Sequence, residues 1–321
     1  QYPYAITLGA NVKNIDLTYE VGKQIAKDCK SAGIHWNLSP VVDINTNPNN
    51  PVIGYRSFGD DKENVVSLAT AYVKGTQSEG VLTSIKHFPG HGDTATDSHL
   101  GLPVINKTKT ELLENELYPF QQLINQGVDS IMVGHLSVPA LTTNKNLPSS
   151  INKDIITGIL RNEMGFDGVV ISDALNMHAV SKNYPTLGQL EWLAFDAGND
   201  VLCFAEHIEE GIQMILKNAT VAQINKSIER IWTLKEKVFR NTSLDKELTD
   251  PSFLNRKIAE QSLTLLHGTT SGIASFRNTN YCTLTLKRFG AKQTNQDILD
   301  NLMEMRKEIE NEPEILLLLT P

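Results

Sequence analysis

The side chains with the most chemical potential lie in one stretch of the sequence, residues 86–103. It contains one lysine, three histidines and two aspartates, together with three glycines and two prolines. Within it, Asp97 stands two residues before His99. An aspartate at that spacing can accept the imidazole Nδ1–H, fix the tautomer and leave Nε2 for proton transfer. Loops longer than about twelve residues are uncommon in compact domains and are often functional, so the stretch is a candidate acid–base site.

Other polar residues of this stretch also have structural explanations. Lys86 and His87 end a short apolar run, residues 81–85, that predicts a buried strand. A solvated lysine and a hydrogen-bonded core histidine would fit these positions as well as a site would. For His91 and Asp93, bracing of the loop through hydrogen bonds to the backbone is the favoured interpretation.

A further carboxylate, Asp173, follows the apolar run 169–171. Burying a carboxylate there is costly unless it has a partner or a chemical purpose. The structural alternative is a helix N-cap, since aspartate is favoured at that position and a helix can begin near Ala174. The residue pattern alone leaves both alternatives open. Asp43 and His135 also end predicted strands, and for them bracing of neighbouring side chains is favoured over contact with a ligand.

Three segments together resemble one known family. They are Asn37-Leu-Ser-Pro-Val-Val-Asp-Ile44 with the following segment up to Gly54-Tyr-Arg-Ser-Phe-Gly59; Lys86-His-Phe-Pro-Gly-His-Gly-Asp-Thr-x-x-Asp-Ser-His99; and Gly168-Val-Val-Ile-Ser-Asp-Ala-Leu-Asn-Met177. In this order they are similar to the signature of glycoside hydrolase family 3, in its β-N-acetylglucosaminidase branch. The resemblance extends over residues 5–240 and continues more faintly through residues 250–321.

The resemblance implies a retaining glycosidase that needs neither a cofactor nor a metal ion. Asp173 would be the nucleophile, and His99, oriented by Asp97, would be the proton donor. The sugar-binding positions of the family correspond to Arg56, Lys86 and His87. The implied function is that of an exo-acting β-N-acetylglucosaminidase on glycosides derived from the cell wall or from chitin. Phosphorolysis by the same mechanism is the alternative within the family.

Two functions of other classes compete with this one. A metal-dependent barrel hydrolase is one, because the histidines and aspartates resemble a set of ligands, although the tight spacing typical of metal sites is absent. A non-catalytic sugar-binding module is the other. Activity that survives a strong chelator would contradict the first. Loss of turnover on replacing Asp173 would contradict the second.

Apolar, β-branched runs alternate with helical patterns along the chain. Strands are predicted to end near residues 42, 87, 135, 173 and 204, and helices to cover residues 17–32, 63–79, 108–127, 153–164, 187–197, 208–217 and 221–239. Polar residues follow four of these strands, which is where (β/α)8 barrels place their chemistry. The predicted fold class is therefore α/β, a TIM-type barrel, and no glycine-rich phosphate turn favours a doubly wound sheet instead.

Only five such strand–helix units are predicted, where a closed barrel needs eight. At roughly 31 residues for each unit, roughly 90 residues are expected before Gln1, and the resemblance implies the same. Residues 1–245 are therefore interpreted as an N-terminally incomplete catalytic barrel. Residues 246–321 are interpreted as a linker helix, predicted over 252–261, and the start of a C-terminal α/β sandwich domain.

Composition and charge restrict the partners. The formal net charge of −8 and the dispersed lysines and arginines give no reason to expect nucleic acid. No apolar run approaches the length of a membrane span. Cys29 and Cys203 occupy apolar patterns and are predicted to be buried hydrophobic residues, and with Cys282 they are too far apart in sequence to suggest a disulfide or metal set.

The predicted partner is a small carbohydrate, an N-acetylglucosamine glycoside, and no obligate protein partner is implied. The sequence leaves the compartment open, with a bacterial periplasmic or secreted location favoured over a cytoplasmic one.

Overall fold

The structure is a computed structural model, and it describes residues 1–95, 101–145, 147–239 and 248–264. The chain divides into two compact units, Gln1–Leu263 and Thr264–Pro321. All the described residues except Thr264 belong to the first unit. The predicted elements of the sandwich domain beyond residue 264 lie outside the described residues.

Four short strands form one parallel sheet in the order β1-β2-β3-β4. They are β1 (Trp36–Asn37), β2 (Leu82–Phe88), β3 (Ser130–Val133) and β4 (Val169–Ser172). Ile131 of β3 lies opposite Ile85 of β2 and Val170 of β4, and all three side chains are fully buried. Parallel strands that are buried on both faces need such continuous apolar runs. The predicted α/β class with a parallel sheet is confirmed.

Helices connect the strands and cover the sheet. The α-helices are α1 (Ala5–Gly9), α2 (Asp16–Ser31), α3 (Lys62–Ser78), α4 (Lys109–Glu114), α5 (Tyr118–Asn125), α6 (His178–Ser181), α7 (Gln189–Ala197), α8 (Ile208–Asn218), α9 (Val221–Phe239) and α10 (Ser252–Ser262). A π-helix spans Asp154–Glu163, and 3₁₀ turns span Gly54–Arg56, Pro139–Leu141 and Ser149–Ile151. Except for residues 108–127, each predicted helix is found within two residues of its predicted bounds.

The prediction of one continuous helix over residues 108–127 is wrong, because two helices, α4 and α5, occupy this range. Its start is confirmed, because the Thr108 hydroxyl accepts the Glu111 N–H and the Thr108 N–H donates to the Glu111 carboxylate, a capping box. The first helix ends where Asn115 leaves the helical region, with φ −125° and ψ −81°. The second helix carries Pro119 in its first turn, where the missing N–H costs no hydrogen bond.

The first predicted strand is also shorter than expected. It covers only Trp36–Asn37 of residues 36–42, and Val41 rejoins the sheet through a single bridge to Lys86. Pro40 interrupts the strand because it has no N–H to donate to the ladder. The chain nevertheless stays beside β2, so the residues after position 42 still reach the carboxyl edge of the sheet.

The fifth predicted strand, residues 200–204, is reduced to one parallel bridge between Val201 and Ile171. A side chain supplies one of the missing partners, since Asp200 Oδ2 accepts the Val170 N–H at 2.9 Å. Within the described ranges the sheet therefore has four strands, extended by the bridges Val41–Lys86 and Val201–Ile171, and it does not close into a barrel.

Asp200 also anchors a network of ion pairs. Its Oδ2 lies 2.7 Å from Arg161 Nη2 of the π-helix, and its Oδ1 lies 3.3 Å from Arg230 Nη1 of α9. The Asp200 side chain is only 2% exposed and that of Arg161 only 9%. A buried ion pair is tolerated when every charge and lone pair has a partner, and here one carboxylate joins β4, the π-helix and α9.

Replacing Asp200 with alanine is expected to lower the free energy of unfolding by about 3–5 kcal/mol, because it leaves the buried Arg161 guanidinium group without a carboxylate partner. The midpoint of urea denaturation measures this. A suitable control is Glu163→Gln, since the Lys109–Glu163 pair is about half exposed on both sides. That change is expected to cost less than about 1 kcal/mol. Equal, small effects of both substitutions would contradict the structural role of Asp200.

Candidate active site

Polar side chains from neighbouring strands meet at the carboxyl edge of the sheet. Asp43 follows the bridge that joins Val41 to β2, and His87 lies near the end of β2. His135 follows β3, and Asp173 follows β4 directly. Because the four strands are parallel, these residues converge on one side of the sheet, as the sequence predicted.

The Asp43 carboxylate is almost completely buried and is surrounded by hydrogen-bond donors. Its Oδ2 lies 2.7 Å from His87 Nδ1, and its Oδ1 accepts the N–H groups of His87 at 3.1 Å and His91 at 2.7 Å. Burial alone would raise the pKa of Asp43, but the neighbouring His87 and the hydrogen bonds from both histidines outweigh it and hold the pKa below its ordinary value. Asp43 therefore braces the site as an ionised carboxylate.

Arg56 fixes the other side of the His87 ring. Its Nη1 donates to the Val52 carbonyl at 3.1 Å, and its Nη2 lies 3.3 Å from His87 Nε2. A guanidinium group can only donate, so Nε2 is the acceptor and the ring proton is on Nδ1, where it faces Asp43. The ring is thus held in one tautomer between a cation and an anion.

Lys86 lies beside these residues with most of its side chain enclosed. Burial lowers the pKa of its ammonium group and nearby Arg56 lowers it further, while the carboxylates of Asp173 and Asp43 act in the opposite direction. Its Nζ makes no hydrogen bond to any of the residues described here. The group is consequently available to donate to a bound molecule.

Asp173 is the partly exposed carboxylate of the site. Its Oδ1 accepts the Ala174 N–H at 2.8 Å. Burial would raise the pKa of this carboxyl, but the neighbouring His87 and His135, the Ala174 hydrogen bond and the Lys86 ammonium group hold it below the ordinary value. The next helix begins at His178 and not near Ala174, so Asp173 does not cap it.

His135 supports the backbone next to Asp173. Its Nε2 lies 2.9 Å from the Ala174 carbonyl oxygen, and its Nδ1 lies 2.6 Å from the hydroxyl of Ser150. A carbonyl can only accept, so Nε2 carries the proton and the Ser150 hydroxyl donates to Nδ1. The contacts agree with a bracing role for His135. Ser150 was not identified from the sequence, because a serine after Pro148 carries no distinguishing pattern.

His91 and Asp93 hold the loop that follows β2. The His91 ring lies 2.6 Å from the Thr94 hydroxyl, and Asp93 forms an ion pair of 2.8 Å with Lys107. Gly92 packs closely against the backbone of Ile44. A Cβ atom at position 92 would lie 1.8 Å from the Ile44 carbonyl oxygen. These contacts agree with the favoured interpretation that both side chains brace the loop.

Asp97 and His99, the predicted acid–base pair, lie in residues 96–100, outside the described residues. Cys29 and Cys203, in contrast, are described, and their predicted burial is wrong. Both Cys203 and Cys29 are free thiols that are only half buried. Burial raises the pKa of the Cys203 thiol, and the Asp173 carboxylate raises it further. The Cys203 N–H donates to the hydroxyl of Ser172 at 3.0 Å, so Cys203 lies beside the site. Cys282 lies outside the described residues.

Within residues 1–95, 101–145, 147–239 and 248–264, no three His, Cys, Asp or Glu side chains converge so that they could hold a metal ion. In the same ranges no helix combines the length and apolar character that crossing a bilayer requires.

A cavity of about 310 Å³ lies at the other end of the sheet, at the amino-terminal ends of β3 and β4. It is lined by α9 and by acidic groups that already have basic partners, since Asp129 pairs with Lys237 and Asp167 with Arg230. Among the described residues, Lys86 Nζ and Asp173 Oδ2 at the carboxyl edge have no such partner. The carboxyl edge is therefore the better candidate for chemistry.

The chain is similar in sequence to known β-hexosaminidases. The β-hexosaminidase A of Pseudoalteromonas piscicida is 39% identical over 193 residues, which cover 57% of this chain and 32% of that protein. The β-hexosaminidase LpqI of Mycobacterium tuberculosis is 34% identical over 233 residues, which cover 68% of this chain and 58% of that protein. The chain thus spans less than two thirds of the length of these relatives.

Solved structures agree with the sequence relatives. The glycoside hydrolase family 3 β-N-acetylglucosaminidase of Paenibacillus sp. str. FPU-7 superimposes with a TM-score of 0.76 at 35% identity, covering 82% of this chain and 53% of that one. A β-glucoside phosphorylase, BglX, superimposes with a TM-score of 0.71 at 25% identity and covers 82% of this chain and 50% of that one.

The model of the family domain described as "Glycosyl hydrolase family 3 N terminal domain" matches residues 1–234, almost three quarters of the chain. That domain has a TIM-barrel-like α/β fold, which the parallel sheet and its covering helices resemble. The chain therefore belongs to glycosyl hydrolase family 3.

Proposed function

We propose that the protein containing this chain is a retaining β-N-acetylglucosaminidase in which Asp173 is the nucleophile. One observation carries the proposal. Asp173 is ionised and partly exposed, and only its Oδ1 accepts a hydrogen bond from the residues described. A carboxylate needs an uncommitted oxygen to attack the anomeric carbon of a sugar. The relatives named as β-hexosaminidases support the same function.

The alternative carboxylate at the site is less suitable. Both oxygens of Asp43 are engaged with His87, and one of them also with His91, and the group is only 1% exposed. A sugar carbon could reach neither oxygen without displacing a donor. The environment thus separates two nearby carboxylates into one bracing group and one candidate nucleophile.

The proposed first step forms a bond between Asp173 and the anomeric carbon. The bond from that carbon to the leaving oxygen breaks, and the leaving oxygen takes a proton from the His99 imidazolium. In the second step His99 removes a proton from water, the water oxygen bonds to the anomeric carbon, and Asp173 is released as a carboxylate. A histidine with an ordinary pKa near 6.5 can serve both steps near neutral pH.

The cationic side chains hold the sugar in this proposal. Arg56 and Lys86 carry donors that can bind ring hydroxyls, and His87 can exchange a hydrogen bond through Nε2. Asp97 orients the donor His99 by accepting its Nδ1–H. Contacts that strengthen as positive charge develops on the ring would lower the barrier, whereas contacts of constant strength would only improve binding.

The first test concerns the nucleophile. Asp173→Asn and Asp173→Ala are expected to abolish hydrolysis of an aryl β-N-acetylglucosaminide without changing the thermal unfolding midpoint by more than a few degrees. In the native protein, a 2-fluoro glycoside should label Asp173, as peptide mass spectrometry would show. A label on another residue, or full activity of either variant, would contradict the assignment. Assays with a strong chelator present would reveal a metal-dependent reaction by loss of activity.

The second test concerns the proton donor. His99→Ala is expected to lose most activity on glycosides with poor leaving groups and far less on dinitrophenyl glycosides, because a good leaving group needs no proton. Asp97→Ala should show a milder form of the same pattern. The measurement is kcat/KM across a series of leaving groups. Equal losses over the whole series would mean that His99 positions the sugar without donating a proton.

The third test concerns the bracing carboxylate. Asp43→Asn places an amide opposite the N–H donors of His87 and His91, so the ring of His87 should lose its fixed tautomer. We expect kcat/KM to fall roughly tenfold or more, by analogy with outer partners of metal-bound histidines. Asp61→Asn, at the N-cap of α3, is the matched control and should retain activity. Unchanged activity of the Asp43 variant at native stability would contradict the role.

Phosphorolysis is the second candidate, supported by the structural similarity to a β-glucoside phosphorylase. A histidine donor leaves no second carboxylate facing an incoming anion, so phosphate would meet less repulsion than in a site with two carboxylates. Formation of a sugar 1-phosphate when phosphate is added distinguishes the two reactions. The origin of the substrate, from peptidoglycan or from chitin, is a further part of the proposal that the natural glycosides would test.

A further inference from the structure

Two exposed tyrosines lie against one another next to the site. The ring centroids of Tyr4 and Tyr55 are 4.5 Å apart, with an angle of 53° between the ring planes. Although they pack together, the two residues remain 54% and 57% exposed. Single exposed aromatic residues need no explanation, but two that pack together leave a combined apolar surface uncovered.

The backbone holds both rings in place. Tyr55 lies in the 3₁₀ turn Gly54–Arg56, which follows a segment whose N–H groups are bound by the buried side chain of Asn50. Tyr4 is the N-cap residue of α1, and this helix packs closely against the loop of Tyr55. At Gly9 of α1 a Cβ atom would lie 2.0 Å from the Phe58 carbonyl oxygen. Internal contacts therefore fix the backbone that carries the two rings.

The position of the pair relates it to the site. Tyr55 directly precedes Arg56, whose guanidinium group contacts the His87 ring at 3.3 Å. The loop that carries Tyr55 and Arg56 runs from the carboxyl end of the first strand to α3. It therefore lies at the edge where Asp43 and His87 meet. Tyr55 thus lies one residue from a side chain of the candidate site, and Tyr4 packs against it.

We propose that Tyr4 and Tyr55 form a platform on which a second sugar ring stacks, the ring linked to the N-acetylglucosamine that is cleaved. The inference rests on the proposed function. The apolar C–H face of a pyranose matches the face of an aromatic ring, while the tyrosine hydroxyls can exchange hydrogen bonds with sugar hydroxyls. The platform would make the protein prefer glycosides whose leaving group is itself a sugar.

The test compares two substrates in Tyr4→Ala and Tyr55→Ala variants. One is a β-linked disaccharide of N-acetylglucosamine, and the other is N-acetylglucosaminyl fluoride, whose leaving group has no ring. Loss of one stacked ring is expected to lower kcat/KM for the disaccharide roughly five- to tenfold, while kcat/KM for the fluoride stays within twofold. Tyr55→Phe keeps the ring and should stay close to the native protein. Trp232→Ala is the control, since Trp232 is 62% exposed on α9, the helix that lines the cavity at the opposite end of the sheet.

Equal losses on both substrates would overturn the proposal, because they would mean that the ring pair supports only the fold or the first sugar. No loss on either substrate would overturn it as well. If the native protein hydrolyses neither substrate, the proposed function fails, and calorimetric titration with the disaccharide and the monosaccharide then decides the platform. A disaccharide preference that disappears in both alanine variants supports the platform, and its persistence contradicts it.

Discussion

The buried carboxylate of Asp43 is the constraint on which the candidate site depends. It is removed from solvent, and its pKa is lower than the ordinary value because His87 and His91 surround it with donors. A buried charge of this kind is costly unless its lone pairs are satisfied, so the donors cannot move independently. The His87 backbone and ring and the start of the following loop are consequently fixed together.

From that point the order of the strands determines what else lies nearby. His87 belongs to β2, and the parallel pairing with β3 and β4 brings the residues that follow those strands to the same edge. His135 holds the Ala174 carbonyl, and the adjacent Asp173 keeps one oxygen without a donor from the described residues. Both carboxylates are ionised, but both oxygens of Asp43 are engaged with donors, whereas Asp173 keeps an accessible oxygen. The difference comes from their partners and not from the residue type.

Sequence reasoning predicted the regular parts of this arrangement well. The apolar runs predicted β2 to β4, and the capping box at Thr108 was found with both of its hydrogen bonds. The predicted lengths of two strands were wrong, because a side chain or a proline there replaces a regular backbone partner. Asp200 takes the place of a ladder acceptor, and Pro40 removes a donor, so two predicted strands are shorter than their apolar patterns suggest. Local patterns report propensity, but such substitutions depend on contacts between distant residues.

The loop after β2 is held at its two ends by different means. His91 is bound at its N–H by the Asp43 carboxylate, whereas Lys107 forms ion pairs with Asp93 and the buried Glu116. In the proposed mechanism, the sheet edge would carry the nucleophile and the sugar-binding groups, and the stretch between these anchors would carry the proton donor. The groups that bind the sugar and the group that protonates the leaving oxygen would then belong to separate structural elements, the sheet edge and the loop. Substitutions in the loop should therefore affect the dependence on leaving group more than the affinity for the sugar.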